Sequence, residues 1–371
     1  MKQIIRLIIT VALAFTVSNI SLLSQFGGGD GTATSPYEIH NKAHLEALSD
    51  SIIYSPSNNN TKDYNWSRDK HFKVMNDITD TVRTVIGSES NYFQGNFDGN
   101  GFKIVLGIDV PSSGVGLFVF IGTKVNINNI IISNLITEGY VKGGSYLVGS
   151  IVGYATRVTI KNCINNCDVT AISSDMGQQV GGIAGFVTYC NIENCINNGK
   201  IFALSRDAGG IVGHESDSKI TNCTNTGEIS SKDEVGGIAG CSFGTIENCM
   251  NSGRISGDNC VGGISGWSLL DSKIINCINI GTVKGNSVVG GISSSIEWGF
   301  NAKISNCVNS GLIIGNDRVG GILGYIEAGT ISNCINTGTV KGNTKVGCIV
   351  GEKTGGTVIN CHYDKQMCSG E

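Results

Sequence analysis

The sequence predicts an all-β fold: a single-stranded parallel β-helix, or solenoid, of about 28-residue coils, with a small N-terminal cap containing one short α-helix. Three observations predict it. Cys recurs at 163, 195, 223, 249, 277, 307, 334 and 361, a spacing of 26 to 32 residues, each time inside Ile/Val-x-Asn-Cys. From each Cys the chain alternates: Cys195, Asn197, Gly199 and Ile201 share one face, as do Cys223, Asn225, Gly227 and Ile229, and that period of two belongs to strands. Gly-Gly recurs at 181–182, 209–210, 236–237, 262–263, 290–291 and 320–321, and the units are built from Gly, Asn and Val where helical repeats would use Ala, Leu, Glu and Lys.

Each element follows. The Ile three places before each Cys (Ile192, Ile220, Ile246, Ile274, Ile304, Ile331) has the opposite parity to the Cys set. The intervening Asn must therefore be a bend, and Asn tolerates the left-handed conformation that a corner needs. Gly-Gly supplies a second corner, and two or three short strands complete a coil that stacks on the next with a rise near 4.8 Å. Upstream, Lys2 and Arg6 precede the apolar run Leu7 to Val17, so residues 1–25 are expected to be a secretory signal peptide. The protein is then exported, to the cell surface or beyond, with no transmembrane segment in the mature chain. Residues 26–96 form a capping segment, with a helix over Leu45, Leu48 and Ile52 behind Asn41 as N-cap, then a strand through Phe72, Val74 and Ile78. A tight turn at Phe97 to Gly101 opens the repeats, which occupy 97–361, and 362–371 is a C-terminal tail.

The lead GGGDGTATSPYEIHNKAHLEALS, the FDGNG turn and the repeated VGGIAG, AGGIVG, VGGISG and VGGILG carry a resemblance. Over roughly residues 27 to 361 the chain resembles the GLUG-repeat family of exported, adhesin-like bacterial surface proteins of the Bacteroides type. The resemblance implies surface attachment or recognition and brings no catalytic residues. No cell-wall sorting motif stands before Glu371, so it implies no particular means of retention.

Charge and cysteines narrow the function. With 26 Lys and Arg against 30 Asp and Glu, a net charge of −4 and no basic stripe, nucleic acid is not an expected partner. Fourteen cysteines in an exported chain raise disulfides and metal. The earlier degenerate coil has Ile130 in the Cys frame, so the column Cys163, Cys195, Cys223, Cys249, Cys277, Cys307, Cys334 and Cys361 is expected to be a structural ladder of apolar thiols. Bridging between neighbouring rungs is the alternative. Metal is not expected, because the column has no CxxC pair or nearby His, and no cofactor is expected. Among Cys190, Cys241, Cys260, Cys348 and Cys368, one or two local bridges remain open. The column Asn165, Asn197, Asn225, Asn251, Asn279, Asn309 and Asn336 is expected to hydrogen-bond along the axis, with Tyr363 in its last place.

The chain is expected not to be an enzyme. Asp207 and Glu234 both stand two places before Gly-Gly, so stacking could bring their carboxylates to about 5 Å, the separation of a retaining glycosidase; the alternative is a pair of solvated loop charges. Asp98-Gly99-Asn100 resembles the start of a calcium loop but lacks the downstream Glu, and a plain turn is expected. The position after Val-Gly-Gly-Ile-x-Gly or its variants carries Tyr154, Phe186, His214, Cys241, Trp267, Ser295, Tyr325 and Glu352, in a chain of only 7% aromatics. Phe186, Trp267, Trp298 and Tyr325 are the candidate ligand-binding residues, for a surface or host glycan that stacks on the rings, or a host protein. Two readings compete with these: rings that form a packing layer, and a spacer of the cell envelope.

Overall fold

The computed structural model describes residues 25–54, 65–123, 130–144, 146–173, 177–297 and 302–369. The predicted signal segment, apart from Gln25, and Trp298 lie outside the described residues.

One rung shows how the sequence builds the coil. Asn191–Glu193 lies on a first face, and Ile196–Asn197 and Ile201–Ala203 on a second. Ala208–Gly209 forms a third face and Val212–Ser216 a fourth, before Lys219–Thr221 begins the next rung. A rung therefore holds five short strands rather than two or three. Among the described residues every ladder is parallel, and those of the repeats run in frame: Ile192 pairs with Ile160 and Ile220, and Asn197 with Asn165 and Asn225. Among the described residues the first face gathers 12 strands and the third and fourth faces nine each.

The extra strands come from extra corners. The corner Asn of each rung is left-handed as expected, from Asn134 at φ 52° through Asn194 at 54° to Asn360 at 50°. In the early coil Ile130 pairs with Val158 and Ser133 with Lys161, so Leu135, rather than the expected Ile130, stands in the Cys frame, and it too is apolar and buried. A second left-handed corner falls at Asp207, Glu234, Cys260, Val288, Arg318 and Lys345, with φ between 50° and 55°. It precedes the Gly-Gly pairs, which bend without positive φ and are needed for another reason. There the third and fourth faces fold back on each other so closely that a Cβ on Gly209 would lie 2.0 Å from the Val212 carbonyl oxygen. A Cβ on Gly213 would lie 2.3 Å from the Val180 amide nitrogen. A third corner stands at Arg157, Tyr189, Asp217 and Leu270.

The inward positions form columns. The amide column is continuous: Asn165 Nδ2 donates to Asn197 Oδ1 at 2.7 Å, and the chain of bonds runs through Asn225, Asn251, Asn279 and Asn309 to Asn336 at 2.7 to 2.8 Å. Each Nδ2 also reaches the carbonyl two residues on, as Asn225 does to Gly227 at 2.9 Å. Thr137 Oγ1 closes the lower end on Asn165 Oδ1 at 3.1 Å. In the glycine column a Cβ on Gly281 would meet the Gly253 carbonyl oxygen at 2.0 Å. The thiol column is buried from Cys163 to Cys334, half-buried at Cys361, and carries free thiols throughout. Burial pushes the thiols of Cys163, Cys223, Cys277 and Cys307 upward, so they stay protonated and donate to carbonyls, Cys223 Sγ to Thr221 O at 3.3 Å. Of the six cysteines outside the column, Cys348 and Cys368 are bridged and Cys167, Cys190, Cys241 and Cys260 are free.

The ladders extend past 97–361 at both ends. Tyr37–Ile39 pairs with His71–Val74, which pairs with Asn96–Asp98, so the first face begins inside the capping segment. His362–Tyr363 and Cys368–Ser369 pair onto the preceding rung. The early strands lack the Cys and Gly-Gly marks, and the repeat pattern cannot reveal their pairing. Helix α1 (Lys42–Ile53) closes the first rung with Leu45, Leu48 and Ile52 buried, and Asn41 Oδ1 accepts from the His44 amide at 3.1 Å. Beside it Phe26 lies on Tyr37 at 4.8 Å, backed by Trp66 and Phe72. This apolar lid covers what would otherwise be a bare strand edge.

Candidate functional site

The fourth face carries one outward-pointing file of side chains, because its strands repeat in register: Tyr154 pairs with Phe186, Phe186 with His214, His214 with Cys241, and Cys241 with Trp267. Ser295 pairs with Tyr325, and Tyr325 with Glu352. The rings stack on one another. Centroids lie 5.0 Å apart for Tyr92 and Phe120, 5.7 Å for Phe120 and Tyr154, 5.4 Å for Tyr154 and Phe186, and 5.0 Å for Phe186 and His214. Phe243 extends the stack beyond His214 at 5.3 Å.

Phe186, Trp267 and Tyr325 thus share a face without being adjacent. His214 and Cys241 separate the first two, and Ser295 separates Trp267 from Tyr325. All three are half-buried. Phe186 is held between Tyr154 and His214, so most of its ring area is already packed. Tyr325 faces the Arg318 guanidinium at 5.2 Å and places its hydroxyl 2.9 Å from Thr354 Oγ1. At the end of the file Glu352 takes the ring position and pairs with Lys345 at 2.8 Å.

Asp207 and Glu234 are not solvated loop charges. Both are buried, 3% and 6% exposed, because the left-handed corner turns them against the fourth face. The Arg206 guanidinium takes both oxygens of Glu234, with Nε 3.2 Å from Oε2, and its Nε lies 3.4 Å from Asp207 Oδ1. His214 Nδ1 lies 3.0 Å from Asp207 Oδ2. Burial first, and then the Asp207 carboxyl, push Glu234 up to about 8. Burial likewise raises Asp207 and lowers His214. The two carboxyls are therefore held in one buried network with the Arg206 guanidinium and the His214 ring.

One feature had no expectation attached. Glu215 points into the core with no exposure, in the frame that Val187 and Ala155 occupy on earlier rungs. Its Oε1 accepts from Ser242 Oγ at 2.5 Å and the Gly244 amide at 2.6 Å, and its Oε2 from the Ser218 amide at 3.3 Å. A charged residue at an apolar frame position is the signal that could have found it. The Asp98 turn is closed by its own neighbours, with Oδ1 accepting from the Asn100 amide at 2.8 Å and Asn134 Nδ2 at 2.9 Å. Among the described residues no cluster of His, Cys, Asp and Glu is arranged to hold a metal ion.

Corner Asn, amide, thiol and glycine columns repeated rung after rung define a short-repeat parallel β-solenoid. The chain carries GLUG motif repeats in four places: the family model described as "The GLUG motif" matches residues 176–201, 205–230, 234–256 and 315–341. It is also 30% identical, over 141 residues, to a protein of Evansella cellulosilytica described as a "Putative Gly-rich membrane protein". That match spans 35% of this chain and only 14% of the relative. Among solved structures, a "putative immunoglobulin A1 protease" from Bacteroides ovatus aligns with TM-score 0.44 and 18% identity, covering 92% of this chain and 87% of that one. At that similarity neither its fold nor its activity transfers. Among the described residues no helix is long and apolar enough to cross a membrane.

Proposed function

We propose that this chain is a non-catalytic protein of the cell envelope, exported and adhesin-like, that recognises a surface or host glycan through the ring file of the fourth face. The observation that carries the reading is the file itself. Half-exposed rings of Tyr154, Phe186, Trp267 and Tyr325 lie along one straight face whose rungs repeat about every 4.8 Å. Such a file offers apolar ring edges to successive sugars without a deep pocket, and repetition makes weak contacts multivalent. The GLUG repeats and the membrane-protein description of the Evansella relative support placement at the envelope. The reading without catalysis is supported by the geometry of Asp207 and Glu234, which are buried and held by Arg206 and His214.

A glycan array with the purified chain tests this. Binding should be weak, should strengthen when the glycan is displayed densely, and should fall at least tenfold for Phe186→Ala combined with Trp267→Ala. No glycan binding, together with specific retention of one host protein, would replace the sugar with a protein partner, for which the same rings also suit.

A further inference from the structure

The lead that carries the sequence resemblance has a structural product of its own. Gly29 and Gly31 take φ of 79° and 81°, and a Cβ on Gly29 would lie 1.9 Å from the Pro36 carbonyl oxygen. Asp30 Oδ1 accepts from the Thr32 amide at 3.0 Å and the Thr32 hydroxyl at 2.7 Å, and the Asp30 and Gly31 amides both reach Ser35 O at 2.9 Å. The His71 amide pins this turn to the first face through Gly31 O at 3.0 Å. The result is a rigid overhang, and between it and the first face lies a groove of about 530 Å³.

The wall is Ala33, Thr34 and Pro36, and the floor is the first face of the early rungs. One floor column runs Lys73, Asp98, Ser133, Lys161 in register, which spaces the two lysine Cα atoms about 14 Å apart. Neither Lys73 nor Lys161 makes an ion pair among the described residues, and both are half-exposed. The one carboxylate between them, Asp98, already accepts from Asn100 and Asn134. Glu193 follows Lys161 on the next rung and ends the positive strip. Arg68 at the far side, where a smaller hollow shares His71 and Asn96 with the groove, is paired to Asp69 at 3.8 Å. Asn134 and Asn162 stand at the groove edge, where Asn134 spends one amide N–H on Asp98 Oδ1 and Asn162 one on Asn134 Oδ1, so a second N–H remains on each amide.

We infer that this groove binds an anionic oligosaccharide, one carrying carboxylate or sulfate groups. Two separated ammonium groups suit anions on non-adjacent sugar units. The amides of Asn134 and Asn162 and the hydroxyls of Thr34 and Ser133 suit sugar hydroxyls, while Ile131 and the Pro36 ring give the apolar contact that a sugar face needs. The site is separate from the ring file and does not rest on it.

The test is calorimetric titration of the full-length chain with a heparin-derived hexasaccharide, a hexagalacturonate, a neutral maltohexaose and hexaglutamate. One or both acidic saccharides should bind, which distinguishes sulfate from carboxylate, and binding should weaken with salt. Lys73→Gln combined with Lys161→Gln should reduce that affinity about tenfold. Ala33→Trp, which fills the groove without changing charge, should abolish it, and Phe186→Ala should leave it unchanged. Circular dichroism should show all variants folded. The inference is overturned if neither acidic saccharide binds, if hexaglutamate binds as tightly, or if the double lysine variant binds as the parent does. Loss on Phe186→Ala with no loss on the lysine variant would assign the binding to the ring file instead.

Discussion

Replacing Asn251 by Ala probes whether the amide ladder holds the rungs together. Four hydrogen bonds end on its side chain: donations to Asn279 Oδ1 at 2.8 Å and Gly253 O at 3.2 Å, and acceptances from Asn225 Nδ2 at 2.8 Å and the Gly253 amide at 3.2 Å. Asn225 Nδ2 keeps Gly227 O as a partner at 2.9 Å, but the Gly253 amide and Asn279 Oδ1 lose their donor–acceptor match in a site with no exposure. At about 1 kcal/mol net for each bond, with part of the loss aggravated by burial, the cost is about 4 kcal/mol. A solenoid opens locally, so the assay is amide hydrogen exchange followed by mass spectrometry over residues 223–281, where 4 kcal/mol corresponds to about a thousandfold faster exchange. Asn198→Ala is the control. Its Nδ2 makes an equally short bond, 2.8 Å to Asn166 Oδ1, but on the surface, and its loss should cost under about 0.5 kcal/mol. Equal effects of the two substitutions would refute the reasoning that burial gives the ladder its strength.

Gly281→Ala should prevent native stacking at that rung, since its Cβ would meet the Gly253 carbonyl oxygen at 2.0 Å, whereas Gly101→Ala, with nothing within 4 Å but φ of 78°, should cost about 1 kcal/mol in urea unfolding. Cys249→Val should change stability by about 1 kcal/mol or less and Cys249→Asp should cost several, because the site is an apolar one. Mass spectrometry after alkylation under denaturing, non-reducing conditions should label all eight column thiols; protection of all eight would show a bridged column. Glu234 binds its proton more tightly folded, near 8, than its ordinary 4.5, so stability should fall as pH rises between these values, by at most about 1.4 kcal/mol per unit. Glu234→Gln should flatten that slope, and an unchanged slope would remove Glu234 as its source.

Much of this protein is legible without coordinates because its rules are local. Alternation along a strand fixes which of Cys195, Asn197, Gly199 and Ile201 point inward, and a parity break forces the corner at Asn194, whose φ is 54°. What the repeat could not show depends on residues that meet only after the coil closes. The Gly-Gly pairs signal a bend, but their real constraint is the backbone of the opposite face, 2.0 Å from a Cβ on Gly209. Asp207 and Glu234 share a frame in the sequence, yet their burial follows from the direction of a left-handed corner and from Arg206 and His214 beside it. The ring positions were visible as a column, and the stacking that packs Phe186 between Tyr154 and His214 was not.

The sequence by itself determined the coil length, the strand parity and the inward columns, since each is written in neighbouring residues and repeated in every rung. Only the tertiary structure decided how many corners a rung has, which carboxyls lose their solvent, and that the turn of Gly27 to Pro36 overhangs Lys73 and Lys161. The groove joins positions 33 and 161 through strands that stack with no repeat mark, and a distance set by stacking leaves no trace in local pattern.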